Sequence, residues 1–203
     1  MDHEIGPASV AGANRPSSLQ IRILRRVIAL GLGAVVVAIS AQFVVPVPFS
    51  PVPMTLQPLA VLVVGGLLGG AAGAGALLLY LALGVMGLPV FAAGGSGLLH
   101  LLGPTGGYLI AFPVAAGVTG TLTSPVLTGP GVSSGAVLRV LLSCALGMVI
   151  IHAGGVAQLA LLGGNPSIAF RVGFIPFLTG DLIKVGLAAA LILVAGPKIR
   201  PIL

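Results

Sequence analysis

Between Arg26 and Arg139 the chain runs for 112 residues without one charged side chain. A water-soluble domain carries roughly 25% charged residues, so this interval cannot be the surface of a soluble globule. Over all 203 residues the chain is 6% charged and 57% hydrophobic, with a mean hydropathy of +1.21. The apolar runs are continuous, whereas the strands of an outer-membrane barrel alternate polar and apolar residues in short segments. The sequence therefore predicts an all-α integral membrane protein.

A membrane helix takes about 20 mostly apolar residues. That length places six transmembrane helices near 22–43, 55–70, 72–88, 107–123, 136–162 and 176–196. Residues 1–20 read as a polar N-terminal tail and residues 21–203 as a six-helix membrane domain. The weakest division is Gly65–Gly75, where one continuous helix is conceivable but would exceed the bilayer. The apolar run from Val27 to Val45 is longer than the roughly 7–15-residue core of a cleavable secretory signal, so it reads as the first retained span.

The net charge of +6 is explained by position. Arg15, Arg22, Arg25 and Arg26 precede the first apolar run, Arg139 opens the fifth span, and Lys198 and Arg200 follow the last. Cytoplasmic N- and C-termini put all seven on the inside, as the positive-inside rule prefers. Arg171 faces out, where it is solvated or steers an anionic solute. No basic face with interleaved aromatics exists, so nucleic acid is not a partner. The outer loops are then 44–54, 89–106 and 163–175. A single cysteine, Cys144, precludes an internal disulfide.

Asp181 is the only acidic residue beyond position 4. It heads the sixth apolar run, and Lys184 follows one helical turn later on the same face. An ionisable side chain within a membrane span costs about 2.5–3.5 kcal/mol even on lenient scales, and such groups face a cavity or a partner. The pair either pins the helix or binds a small solute bearing both donors and acceptors. All three outer loops fall on its side. One holds four prolines in eight residues, a stiff connector or a lid carrying Phe49 over a cavity, with Gln57 just beyond. Another, Gly94–Tyr108, combines glycines that admit close backbone approach with the polar-tipped ring of Tyr108. It lacks the Lys-Ser/Thr signature of a phosphate loop. Ser96 and His100 have no acidic neighbour for hydrolysis, and His100 and His152 read as structural hydrogen-bonding groups. No metal or cofactor site is evident. In the first span Ala29/Gly33 and Ala34/Ala38 form rows of small residues suited to helix contact, within the chain or with another subunit.

The segments Pro46-Val-Pro-Phe-Ser-Pro-Val-Pro-Met-Thr-Leu-Gln57, Gly87-Leu-Pro-Val-Phe91, Gly103-Pro-Thr-Gly-Gly-Tyr108 and Phe177-Leu-Thr-Gly-Asp-Leu-Ile-Lys184 occur in this order. Together they resemble the BioY family, the biotin-specific substrate-binding (S) components of energy-coupling-factor transporters. The resemblance covers residues 22–196. It implies a six-helix protein, not an enzyme, in the cell membrane. Such a protein captures biotin outside and delivers it through a membrane coupling subunit with two ATPase subunits. It also implies a ligand site containing Asp181, accepting from a ureido N–H, and Lys184, contacting the ureido oxygen or the valerate carboxylate. Tyr108 and Phe49 are expected to pack on the bicycle, with Gln57 and Gly107 nearby. Ala29, Gly33, Ala34 and Ala38 map onto the coupling-subunit surface. Many relatives carry Pro-Gly-Asp where this chain has Leu178-Thr179-Gly180-Asp181. An S component for another vitamin, a proton-coupled carrier and a purely structural subunit are the alternative readings.

Overall fold

A computed structural model describes residues 18–127 and 133–200. Eight helices account for most of them: α1 (Ser18–Ser40), α2 (Gln57–Leu68), α3 (Gly70–Val85), α4 (Leu98–Leu102), α5 (Gly106–Leu127), α6 (Ser134–Gly163), α7 (Pro166–Gly173) and α8 (Leu178–Ile199). Four helical stretches are long and apolar enough to cross a membrane: Leu19–Ser40, Gly106–Leu127, Ser134–Gly163 and Pro166–Ile199, the last joining α7 and α8. The helices α2 and α3 are apolar but shorter, 12 and 16 residues. At 1.5 Å per residue they extend roughly 18 and 24 Å. The ends of the expected spans shift by a few residues, and the short helices α4 and α7 were not anticipated within their loops.

The uncertain Gly65–Gly75 region is a break. Gly69 adopts φ 93°, ψ 168°, a backbone open to glycine and almost nothing else, and its N–H satisfies the carbonyl of Gly65. The chain reverses there: Gln57 opens α2, and its Nε2 donates to the hydroxyl of Tyr80, near the end of α3, at 2.6 Å. A Cβ at Gly73 would lie 2.7 Å from the Gly65 Cα, so the hairpin closes on bare backbone. Glycine also seats α5 on α6. A Cβ at Gly154 would stand 2.6 Å from the Gly107 carbonyl oxygen.

The small residues of α1 face inward. Ala29, Gly33 and Ala34 are buried and Ala38 is half-buried; a Cβ at Gly33 would lie 2.9 Å from Ala76 on α3 and 3.0 Å from Val64 on α2. The row is therefore filled by contacts within the chain. Leu32, Val35, Val36 and Ile39 form the exposed face of the same helix.

Between α1 and α2 the proline-rich segment folds back on itself as a two-stranded hairpin, β1 (Val44–Val45) against β2 (Met54–Thr55). The Ser50 N–H donates to the Val47 carbonyl across Pro48-Phe49, and Phe49 carries a positive φ of 68°. This is the backbone of a tight turn with proline second and a left-handed third residue. The turn exposes Phe49 almost completely, at 97%.

This hairpin, the segment from Met86 to Thr105 and the segment around α7 gather at one end of the bundle. Gln42 donates to the Phe91 carbonyl, and Gln158 on α6 donates to the carbonyls of Leu101 and Gly103 at 2.8 and 2.6 Å. At the other end Arg200 ties three elements together. Its guanidinium donates to the carbonyls of Leu67, Gly66 and Gly120 and to Ser124 Oγ at 2.8–3.1 Å. Two of these acceptors are last-turn carbonyls of α2 that no helical N–H reaches. Arg200→Ala should lower the thermal unfolding midpoint in detergent, a loss of about 2 kcal/mol for charged hydrogen bonds to carbonyls. Lysine should recover less than half of it, lacking the planar fork.

Candidate functional site

Asp181 lies in the first turn of α8, at the end of the bundle where the three connecting segments gather. Its side chain is buried, and each carboxylate oxygen has a partner. Lys184 Nζ donates to Oδ1 at 2.8 Å, and His152 Nε2 lies 2.6 Å from Oδ2. An ionised carboxylate only accepts, so His152 carries the proton on Nε2. Lys184 and His152 are each 6% exposed. The sequence-adjacent pair is thus a triad whose third member comes from α6.

Around the triad the walls are rigidly built. The Tyr108 hydroxyl donates to the Gly173 carbonyl at 2.6 Å, and His152 Nδ1 lies 3.3 Å from the same oxygen. The rings of Tyr108 and Phe174 meet the His152 ring edge-to-face at 5.9 and 5.0 Å. Among the described residues no buried side-chain polar atom lacks a partner. Capacity nonetheless remains. Lys184 has three donors, of which one is used, and each Asp181 oxygen has a second lone pair.

Asp181, Lys184 and His152 line a recess with about 540 Å³ of atom-free space, counting the solvent at its mouth. Tyr108, Leu109 and Phe112 of α5, with Thr105 just before its first residue, form one wall. Ile151 and Phe177 add apolar surface, and Gln57, Thr55 and His100 add polar groups. Burial holds the His100 imidazolium below the usual histidine range, so this ring is neutral at pH 7.

Of the residues singled out from the sequence, Asp181, Lys184, Tyr108 and Gln57 meet here. Gln57 is committed, donating to Tyr80 and accepting from Thr55 Oγ1. Gly107 stands behind the wall, where a Cβ would collide with the Gly154 carbonyl; its role is helix packing. Phe49 is not at the recess. The rigid turn aims it into the surroundings, and Val52 and Pro53 of the same hairpin supply the wall instead. His152 and His100 reach beyond the structural role the sequence suggested, since both line the recess. The available signal for His152 was its ionisable ring inside a long apolar span, the reasoning that singled out Asp181.

Fold and site define a multi-pass membrane protein with a buried polar cluster lining a largely apolar recess. The comparisons agree on which one. The BioY family model matches residues 12–200. The "Probable biotin transporter BioY" of Pyrococcus horikoshii is 38% identical over 144 residues, covering 71% of this chain and 80% of that protein. The "Biotin transporter BioY" of Thermotoga maritima is 36% identical over 170 residues, covering 84% and 95%, and that of Rhizobium etli is 38% identical over 161 residues, covering 78% and 85%. A 2.1 Å crystal structure of the S-component for biotin from an ECF-type ABC transporter superposes with a TM-score of 0.75 at 25% identity, over 92% of this chain and 95% of that one. The chain belongs to the BioY family.

Proposed function

We propose that this protein captures biotin at the outer face of the cell membrane and imports it as the S component of an energy-coupling-factor transporter. The observation that carries this reading is the buried Asp181–Lys184–His152 triad in the wall of a largely apolar recess. Biotin presents ureido N–H donors, a ureido oxygen and an apolar bicycle. Asp181 accepts from a ureido N–H, while a free Lys184 proton reaches the ureido oxygen. Tyr108 and Phe112 flank the bicycle. The relatives named for biotin transport and the structural neighbour named as a biotin S-component support the same assignment.

Six spans follow if α2 and α3 each cross, the bilayer thinning locally around two short helices. Cytoplasmic termini then keep Arg139, Lys198 and Arg200 inside, and the recess opens outward. The chain contains no nucleotide-binding loop, so energy comes from partners: a membrane coupling subunit and two ATPase subunits. The exposed face of α1 is available to a neighbouring subunit, with Ala29, Gly33, Ala34 and Ala38 setting how that helix is seated. Mass spectrometry of ligand copurifying with the full chain, followed by titration calorimetry against biotin, thiamine, riboflavin and pantothenate, tests the assignment. Biotin alone should bind; a different vitamin, or none, overturns it.

A further inference from the structure

The recess carries a second polar group, separate from the triad. Thr105 Oγ1 and His100 Nε2 lie 3.3 Å apart, and both line the cavity. Thr105 immediately precedes α5, three residues before Tyr108, and its carbonyl accepts from the Leu109 N–H. The His100 ring is held by stacking on Phe91, centroids 5.1 Å apart at 25°.

Charge distribution decides what it can receive. At the triad, Lys184 is already matched by Asp181 at 2.8 Å, so an anion brought to Lys184 would sit against a carboxylate, a like-charge contact. Gln57 has its amide engaged at both ends. Thr105 and His100 carry no negative charge. When His100 Nε2–H donates to Thr105 Oγ1, the threonine hydroxyl keeps its own proton for a ligand.

Resting on the biotin reading, we infer that the Thr105 hydroxyl, oriented by His100, receives the carboxylate of the bound acid, leaving Lys184 to the ureido oxygen. The chain thereby discriminates free acids from their esters and amides at Thr105, elsewhere in the lining of the same recess. A hydrogen bond to an ionised acceptor accounts for roughly a tenfold or greater preference.

The test titrates biotin and biotin methyl ester into the detergent-purified full chain and its Thr105→Val, Thr105→Ser, His100→Ala and Lys184→Met variants, with unfolding midpoints checked for each. Wild type should prefer the acid about tenfold or more. Thr105→Val should bring the acid-to-ester ratio close to one by weakening the acid alone, and Thr105→Ser should restore it. His100→Ala should reduce the ratio in part, and Lys184→Met should weaken both ligands equally. An unchanged ratio in folded Thr105→Val, or a ratio that collapses in Lys184→Met instead, overturns the inference. If Thr105→Val does not fold, an unchanged ratio in His100→Ala does the same. Failure of wild type to bind either ligand would instead remove the biotin reading on which the inference rests.

Discussion

Asp181→Ala should lose biotin affinity by one to several orders of magnitude and also lower the unfolding midpoint. The two losses have different origins. Binding falls because the acceptor for a ureido N–H is gone, a charged hydrogen bond contributing about 1.5–3 kcal/mol. Stability falls because Lys184, 6% exposed, is left as a buried cation without its counter-ion; breaking such a pair from one side costs about 3–5 kcal/mol. The two can be separated. Asp181→Ala/Lys184→Met removes the orphaned ammonium and should recover most of the midpoint, while affinity stays low. Asp181→Asn keeps the shape and one acceptor and should fall between. Titration calorimetry and thermal unfolding of the purified variants report both quantities. Wild-type affinity in Asp181→Ala would mean that the triad only pins α8 to α6.

Gly155→Ala should damage stability and ligand binding together. A Cβ at this position collides with the ring of Tyr108, meeting carbons on both its edges. Tyr108 has little room to yield, because its hydroxyl is fixed on the Gly173 carbonyl at 2.6 Å and its ring edge is set against His152. The ring must swing into the recess or α6 must back away from α5. Overpacking of this kind costs about 1–3 kcal/mol, and a displaced ring occupies ligand space. The expected result is a lower midpoint together with at least tenfold weaker biotin binding. Gly186→Ala is the matched control, since a Cβ there meets nothing within 4 Å and alanine favours the helix by about 1 kcal/mol. Gly155→Ala behaving like Gly186→Ala would show that Tyr108 does not stand where it is placed here.

Much of the architecture was legible because it follows from single-residue energies summed along a window. Long apolar runs become helices of membrane length, and α1, α5, α6 and α8 fall close to their expected positions. Gly69 shows the limit of that reading. The glycine-rich stretch admitted either a turn or a continuous helix, and only the backbone at φ 93° separates them. Phe49 shows it again. Four prolines exclude a helix, but a turn at Pro48-Phe49 exposes the ring that a stiff extended strap could have laid over the recess. The Ala/Gly rows of α1 are a third case, since small residues at a spacing of four signal close contact without naming the partner.

What the sequence determined alone is the solvent the chain lives in and the place where a charge is tolerated within it. Transfer of a residue into lipid depends on that residue and hardly on its neighbours, so Asp181 and Lys184 stand out on inspection. Tertiary structure decided the company they keep: His152, 29 positions away, the recess beside them, and Thr105 with His100 on its wall. Those are contacts between helices, set by which faces meet when backbones close over glycine, and no local spacing encodes them.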